Sequence, residues 1–145
     1  MPQRTDLIAS TISAIAADST IAGSRVYRGR HNVLAGADFP AVYVWMSRED
    51  IDQNGLTRNR NQLRTMQLVV DYWNRADSAE TLEEGFDAAC VSIERAASGT
   101  TAGIANAAAE DIILTSAEYL YDGEEAQYHG CARVNFLVRY LSKEP

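Results

Sequence analysis

The sequence predicts an α+β domain: a mostly antiparallel sheet of about four to five strands with two helices packed on one face. Three observations point there. Ile and Leu recur at helical spacing near the start of the chain, and a second helical stripe follows Asp77. Four segments alternate with the two-residue period of a strand. The order is helix, short strand, two strands, helix, two strands, with no repeat and no linker-like stretch between them. The 145 residues, 46% hydrophobic and 23% charged, suit one domain spanning residues 1–145 with a sizeable core.

Leu7, Ile8, Ile12 and Ile15, with alanines between them, predict a first helix over residues 5–17. Thr5 and Asp6 supply N-terminal capping chemistry, and Asp18-Ser19-Thr20 with Gly23 end it. RVYRGR, residues 25–30, reads as a short strand, and HNVLAGADFP as a loop stopped by Pro40. AVYVWMS, residues 41–47, sets Val42, Val44 and Met46 on one face and Tyr43 and Trp45 on the other. Two apolar faces predict a central strand, or one covered on both sides. EDIDQNGLTRNRNQ, residues 49–62, reads as a long polar loop. LRTMQLVVDYW, residues 63–73, has Met66, Leu68, Val70 and Tyr72 inward and Thr65, Gln67 and Asp71 on a half-wet face. Asp77 or Ser78 caps the second helix, with Glu80 and Glu83 near its first turn. Its stripe is Leu82, Phe86, Ala89, Cys90 and Ile93, and it ends near Ser98-Gly99. GTTAGIANAAAE reads as a flexible loop. DIILTSAEYLY and CARVNFLVRYL, residues 111–121 and 131–141, are strands joined through YDGEEAQ, with Asp122-Gly123 as turn residues. In the last strand Ala132, Val134, Phe136, Val138 and Tyr140 share one face, while Arg133, Asn135 and Arg139 mark the other.

Charge and cysteine usage narrow the function. A net charge of -7 argues against a dedicated nucleic-acid or anionic-membrane binder, because those need a basic footprint. The first twenty residues lack the unbroken apolar core of a signal peptide, and no run approaches the ~20 apolar residues of a membrane span, so a cytosolic chain is expected. Cys90 and Cys131 have no CxxC spacing and read as reduced core thiols.

Nothing in the chain has the pattern of a catalytic or cofactor site. His31 and His129 have no second nitrogen or thiol at metal spacing, and His129 before Gly130 reads as a surface turn. No serine sits in a Gly-x-Ser-x-Gly elbow, and no Lys-Ser/Thr pair follows the glycines of GTTAG or AGAD. The carboxylate groups (Glu49, Asp50 and Asp52; Glu80, Glu83 and Glu84; Glu124 and Glu125) read as solvated faces, the second favoured by a helix N-terminus. The expectation is no enzyme, no cofactor and no metal.

Two basic clusters remain: Arg25, Arg28 and Arg30, then Arg58, Arg60 and Arg64. Arginine is enriched at protein interfaces because its planar fork pairs bidentately with carboxylates. With Glu49, Asp50 and Asp52 they form the candidate interface set. One subunit's basic strip could meet the next subunit's acidic one. The loop of residues 49–62 has only Leu56 as a buried anchor between Asp52 and Asn61, so it should be mobile alone and order against a partner.

The whole arrangement resembles the tail terminator proteins of long-tailed bacteriophages, the minor tail protein U type. The features that carry the resemblance are RTDLIASTISAIAA, the strand RVYRGR, the Pro-led FPAVYVWMSRED, the long polar loop, LRTMQLVVDYW, SAETLEEGFDAACVSIERA and the closing ILTSAEYLYDGEEAQYHGCARVNFLVRYL. The resemblance covers almost the whole chain, without a short diagnostic motif. It implies a non-catalytic protein of the virion tail, assembled in the host cytoplasm. Six copies form a ring at the head-proximal end of the tail tube, spontaneously or only when templated on the tube. The ring ends tube growth and presents a surface for the head. The implied partners are further copies of the chain, the tail tube protein and the head–tail connector protein. DNA passes through the lumen without sequence-specific contact, and no membrane is involved. The alternative is another neck component, a head–tail joining or tail-completion protein. A small α+β enzyme or ligand-binding domain, or a dimerising regulatory module, would need a pocket or a two-fold mass instead.

Overall fold

The computed structural model describes residues 4–23, 25–29, 40–52, 61–98, 111–124 and 127–143. Two helices, α1 (Arg4–Ala17) and α2 (Ala79–Ser98), accompany five strands. The strands are β1 (Val26–Arg28), β2 (Ala41–Asp52), β3 (Asn61–Ala76), β4 (Asp111–Glu124) and β5 (Gln127–Lys143). They form one sheet in the order β1-β2-β3-β5-β4. Only the β1–β2 pair is parallel; the other three are antiparallel. The fold is therefore α+β, as the periodicities predict.

The strand alternation decides where the core lies. Val42 and Val44 of β2, Met66, Leu68, Val70 and Tyr72 of β3, and Ala132, Val134, Phe136, Val138 and Tyr140 of β5 pair across the sheet on one face. Both helices cover that face. Leu7, Ile8 and Ile15 of α1 and Leu82, Phe86, Cys90 and Ile93 of α2 complete a single buried cluster. Phe86 stands edge-on to Tyr72, ring centroids 6.2 Å apart, and lies 5.4 Å from Tyr119 of β4. A helix of twenty residues presents a wide enough stripe to span β3, β5 and β4.

Local chemistry sets the ends of the elements. Ser78 is the cap of α2: its Oγ accepts a hydrogen bond from the Thr81 N–H at 3.2 Å, relieving one orphan donor of the first turn. After α1, Asp18 Oδ1 accepts from the backbone N–H of Thr20 at 3.1 Å and from its hydroxyl at 2.5 Å. Those bonds hold the Asp18 carboxyl below the usual carboxylate range. Gly23 turns the chain with φ of 60°, and Gly29 ends β1 with φ of 111° while donating its N–H to the Val44 carbonyl at 2.8 Å. A side chain at either position would be strained.

Several expectations need correction. The polar loop read over residues 49–62 is shorter: β2 runs to Asp52 and β3 starts at Asn61, so Glu49↔Met66 through Asp52↔Leu63 are ladder pairs. Once neighbouring strands fix the register, polar residues continue a ladder as well as apolar ones. Residues 53–60 lie outside the described residues, and with them the mobility expected of the loop. Asp122 and Gly123 are not turn residues; they pair with His129 and Tyr128 inside the β4–β5 ladder. His129 likewise is not in a surface turn but lies within β5, between Arg75 of β3 and Asp122 of β4. Asp71 is not half-wet but fully buried. β2 is an inner strand, as its two apolar faces predict; among the described residues helices cover one of those faces, and Tyr43 and Trp45 lie half-buried on the other. The glycine-rich loop at 99–110 and the loop at 31–39 lie outside the described residues.

Two ladders shift register by one residue, β2 between Met46 and Arg48 and β4 between Leu114 and Ser116. Each is the signature of a β-bulge.

Candidate functional site

The nominated interface residues fall into three groups. The first lies at the β1 edge of the sheet. Arg25 precedes the strand and donates from Nε to the Pro40 carbonyl at 2.7 Å, which ties β1 to the start of β2. Arg28 ends the strand and is exposed. Arg30 lies outside the described residues.

The second group lies on the extended β2–β3 arm. Glu49 is on the helix side of the sheet, where Arg64 Nη1 donates to its Oε1 at 2.6 Å and the Tyr140 hydroxyl to its Oε2 at 2.9 Å. Arg64 and Glu49 side chains are only 14% and 8% exposed, so this pair is shielded from salt far better than a surface pair. The bond to Glu49 raises the Arg64 pKa against the opposing pull of desolvation. Asp50, on the other face, pairs with Arg48 at 3.1 Å, both side chains well exposed. Asp52 closes β2 opposite Leu63. Arg58 and Arg60 lie outside the described residues. Thus the structure brings Glu49 and Arg64 together within one chain, and places Arg25 and Arg28 at another edge.

The third group was not anticipated. On the helix-free face, Asp71 at the centre of β3 is fully buried. Arg133 of β5, its cross-strand partner, donates from Nε to Oδ1 at 2.8 Å and from Nη2 to Oδ2 at 3.2 Å. The Trp45 indole N–H donates to Oδ2 at 2.9 Å, and the Arg133 guanidinium carbon lies 5.4 Å from the centroid of the Trp45 ring. Bidentate pairing and an aromatic face are what a desolvated guanidinium needs. The Asp71 bond raises the Arg133 pKa. Nearby, Asn135 Nδ2 donates to Ser116 Oγ at 2.9 Å, and Tyr27 and Tyr43 pack with ring centroids 5.3 Å apart. The signal for this network was present in the sequence. Tyr43 and Trp45 share a face, and Asp71 in β3 and Arg133 in β5 are single charges flanked by apolar residues.

Burial raises both the Cys90 and Cys131 thiols, and the carboxylate of Asp71 further raises Cys131. Burial, then the hydrogen bond to Asp87, pushes the Tyr119 phenol well above its ordinary range. Among the described residues, no group of three or more His, Cys, Asp or Glu is placed to hold a metal ion. No helix among them is long and apolar enough to cross a membrane. Among the described residues, open surface grooves lie beside Ala17, Asp18 and Arg95 and beside Arg75, Asp77 and Thr81.

No protein-family model matches the sequence, and no curated protein does. Among solved structures, a chain in the virion of a native gene transfer agent (GTA) particle is similar, with a TM-score of 0.63 at 16% identity. The superposition covers 94% of this chain and 95% of that one. At that identity the likeness is one of fold.

Proposed function

We propose that this chain is a structural subunit of a phage-like particle, and more specifically a tail terminator. Six copies would form a ring on the head-proximal end of the tail tube, end its growth and offer the head a docking surface. The observation that carries the reading is the nearly end-to-end fold likeness to a virion chain, with neither chain much longer than the shared fold. The acidic balance of -7 supports the same reading, because DNA must pass such a ring without sticking to it. The chemistry is assembly rather than catalysis. The partners would be other copies of the chain, the tail tube protein and the connector.

In this reading the β2–β3 arm is the docking element for the tube. The Glu49–Arg64–Tyr140 cluster stiffens its base. Deleting residues 54–60 should leave the fold intact and abolish tail termination; tails of normal length from that deletion would overturn the docking role. The ring itself is tested by light scattering on a sizing column from micromolar to near millimolar, and by binding to purified tail tubes. A mass of about 95 kDa, six times the 15.9 kDa chain, supports it. A monomer that also fails to bind tubes overturns it. The other neck role, head–tail joining, would show binding to the connector with none to the tube.

A further inference from the structure

The two bulges of the sheet are held differently. At the β4 bulge, Thr115 donates its hydroxyl to the Asn135 carbonyl at 3.1 Å, and the Asn135 amide donates to Ser116 Oγ at 2.9 Å. Those bonds pin the surplus residue. At the β2 bulge, Ser47 is exposed, and no side-chain bond holds it among the described residues. Beyond it Arg48, Asp50 and Ile51 are exposed too, so neither face of the arm is closed. A strand specifies its register firmly where one face is buried, and weakly where both are polar or open.

The ladder past Ser47 pairs unlike with unlike in chemistry. Ile51, 46% exposed, is paired with Arg64, and Glu49 with Met66. This register is held by the Glu49 carboxylate, which both Arg64 and the Tyr140 hydroxyl reach. Absorbing the bulge rewrites the pairs. Continuing the spacing of Met46↔Leu68 sets Glu49 opposite Thr65, Asp50 opposite Arg64 and Ile51 opposite Leu63. Arg64 then keeps a carboxylate, from its direct partner. Glu49 replaces Asp50 as the acid in the row of Thr65 and Arg139. Ile51 and Leu63 become an apolar pair. Opposite charges and apolar pairs both stabilise a ladder, and no residue is left surplus. Against these gains stands the loss of Glu49 from its shielded site, where Arg48 takes the place opposite Met66. One shielded cluster is exchanged for two matched pairs and a regular ladder.

We infer that the β2 arm has two registers, the observed one and a bulge-free one shifted by a single residue, and that the slip turns Ile51 from the helix side to the helix-free face. Every pair up to Met46↔Leu68 is the same in both, so the core is untouched. The eight residues between Asp52 and Asn61 take up a shift of one at little cost. The slip stands on the ladder alone; its use rests on the docking reading above. It gives the arm two surfaces to show a partner, one with Ile51 beside Arg64 and one with Ile51 beside Leu63.

The test traps each register with a disulfide. D50C/T65C are direct partners only in the observed register, and I51C/L63C only in the second. In the wrong register the two side chains of a pair point to opposite faces, which a disulfide cannot bridge. Deleting Ser47 supplies the lock, because the ladder becomes regular with the observed partners in place. Melting temperature checks that each variant is folded. D50C/T65C should oxidise with or without Ser47, and I51C/L63C only with it. Amide relaxation dispersion reads the slip without cysteines. Microsecond-to-millisecond exchange over residues 48–51 is expected in the wild type, and its loss on deleting Ser47. A signal from either method that depends on Ser47 supports the slip. Signals that persist without Ser47 report fraying of the arm and overturn it, and so does the absence of both. Tail termination by the two oxidised forms tests the use: one locked form should fail and recover on reduction. Equal activity of both overturns that use. A wild type that fails to end tails overturns the docking reading itself, while the disulfides and the exchange still decide the slip.

Discussion

The two faces of the sheet hold together by different means. Under the helices, Phe136, Leu68, Val70 and Phe86 are excluded from water by packing alone. On the other face no helix among the described residues lies over the strands, yet Asp71 and Cys131 are as completely buried as any core residue. There Arg133 and Trp45 close over Asp71. Arg133 spans Asp71 and stacks near Trp45. The hydrophobic face gains from area and is non-directional. The polar face gains from geometry and loses sharply when one member is missing.

Substitutions can break this contrast, beginning with the largest effect. Phe136→Ala should cost about 3–5 kcal/mol, the range for an aromatic removed from a packed core. A shift of the urea midpoint matching less than half of that would mean the helices pack loosely. Arg133→Met should cost about 3 kcal/mol by leaving a buried carboxylate without its main partner. The double variant Asp71→Leu/Arg133→Met should recover much of the loss, which no cavity variant on the helix face can do; a purely additive cycle would deny that the two act as a unit. Glu49→Gln comes next at about 1–2 kcal/mol, because it weakens the bonds from Arg64 and Tyr140 without emptying space. Arg48→Ala should change stability by less than about 0.5 kcal/mol, since its pair with Asp50 is exposed.

The cysteines sharpen the contrast at the smallest scale, one on each side. Both thiols have raised pKa values, chiefly through burial. Neither should react with iodoacetamide at neutral pH until the chain unfolds; prompt labelling of Cys131 alone would show that the side-chain cover opens. The same shifts fix a sign. Groups whose folded pKa is raised keep their proton in the folded state after the unfolded chain has lost it. Stability is therefore complete below the ordinary thiol range and falls as pH climbs through it, and Tyr72 and Tyr119 extend the loss through the phenol range. Chemical denaturation at pH 7 and pH 10 measures it.

The helix-covered half of the molecule was legible because burial imprints a period. The Leu82–Ile93 stripe and the even positions of β3 and β5 needed only counting. The arm of β2 was not legible. Its residues beyond Ser47 are polar except Ile51, and the strand reading stopped where the apolar alternation stopped. The pairing of Glu49 with Arg64, 15 residues away, depends on a register that only the neighbouring strands supply. Asp71 was misread for the same reason. An aspartate on an alternating strand predicts water, unless an arginine 62 residues later lies opposite it. Of the interface set, Arg25 and Arg28 do lie at an edge of the sheet.

The bulges at Ser47 and Thr115 bear on how such a surface can change over time. Strand faces follow parity, and one surplus residue reverses the parity of everything after it. Beyond Ser47 that reversal moves Glu49 to the side of Arg64 and Tyr140; beyond Thr115 it brings positions 118, 122 and 124 into line with 111. A one-residue insertion or deletion beyond either bulge, left unabsorbed by a new bulge, would exchange the faces of the residues after it without altering a core residue before it. The chemistry displayed by the β2 arm and the β4 edge is thus written in a count, and a lineage could rewrite it in one step.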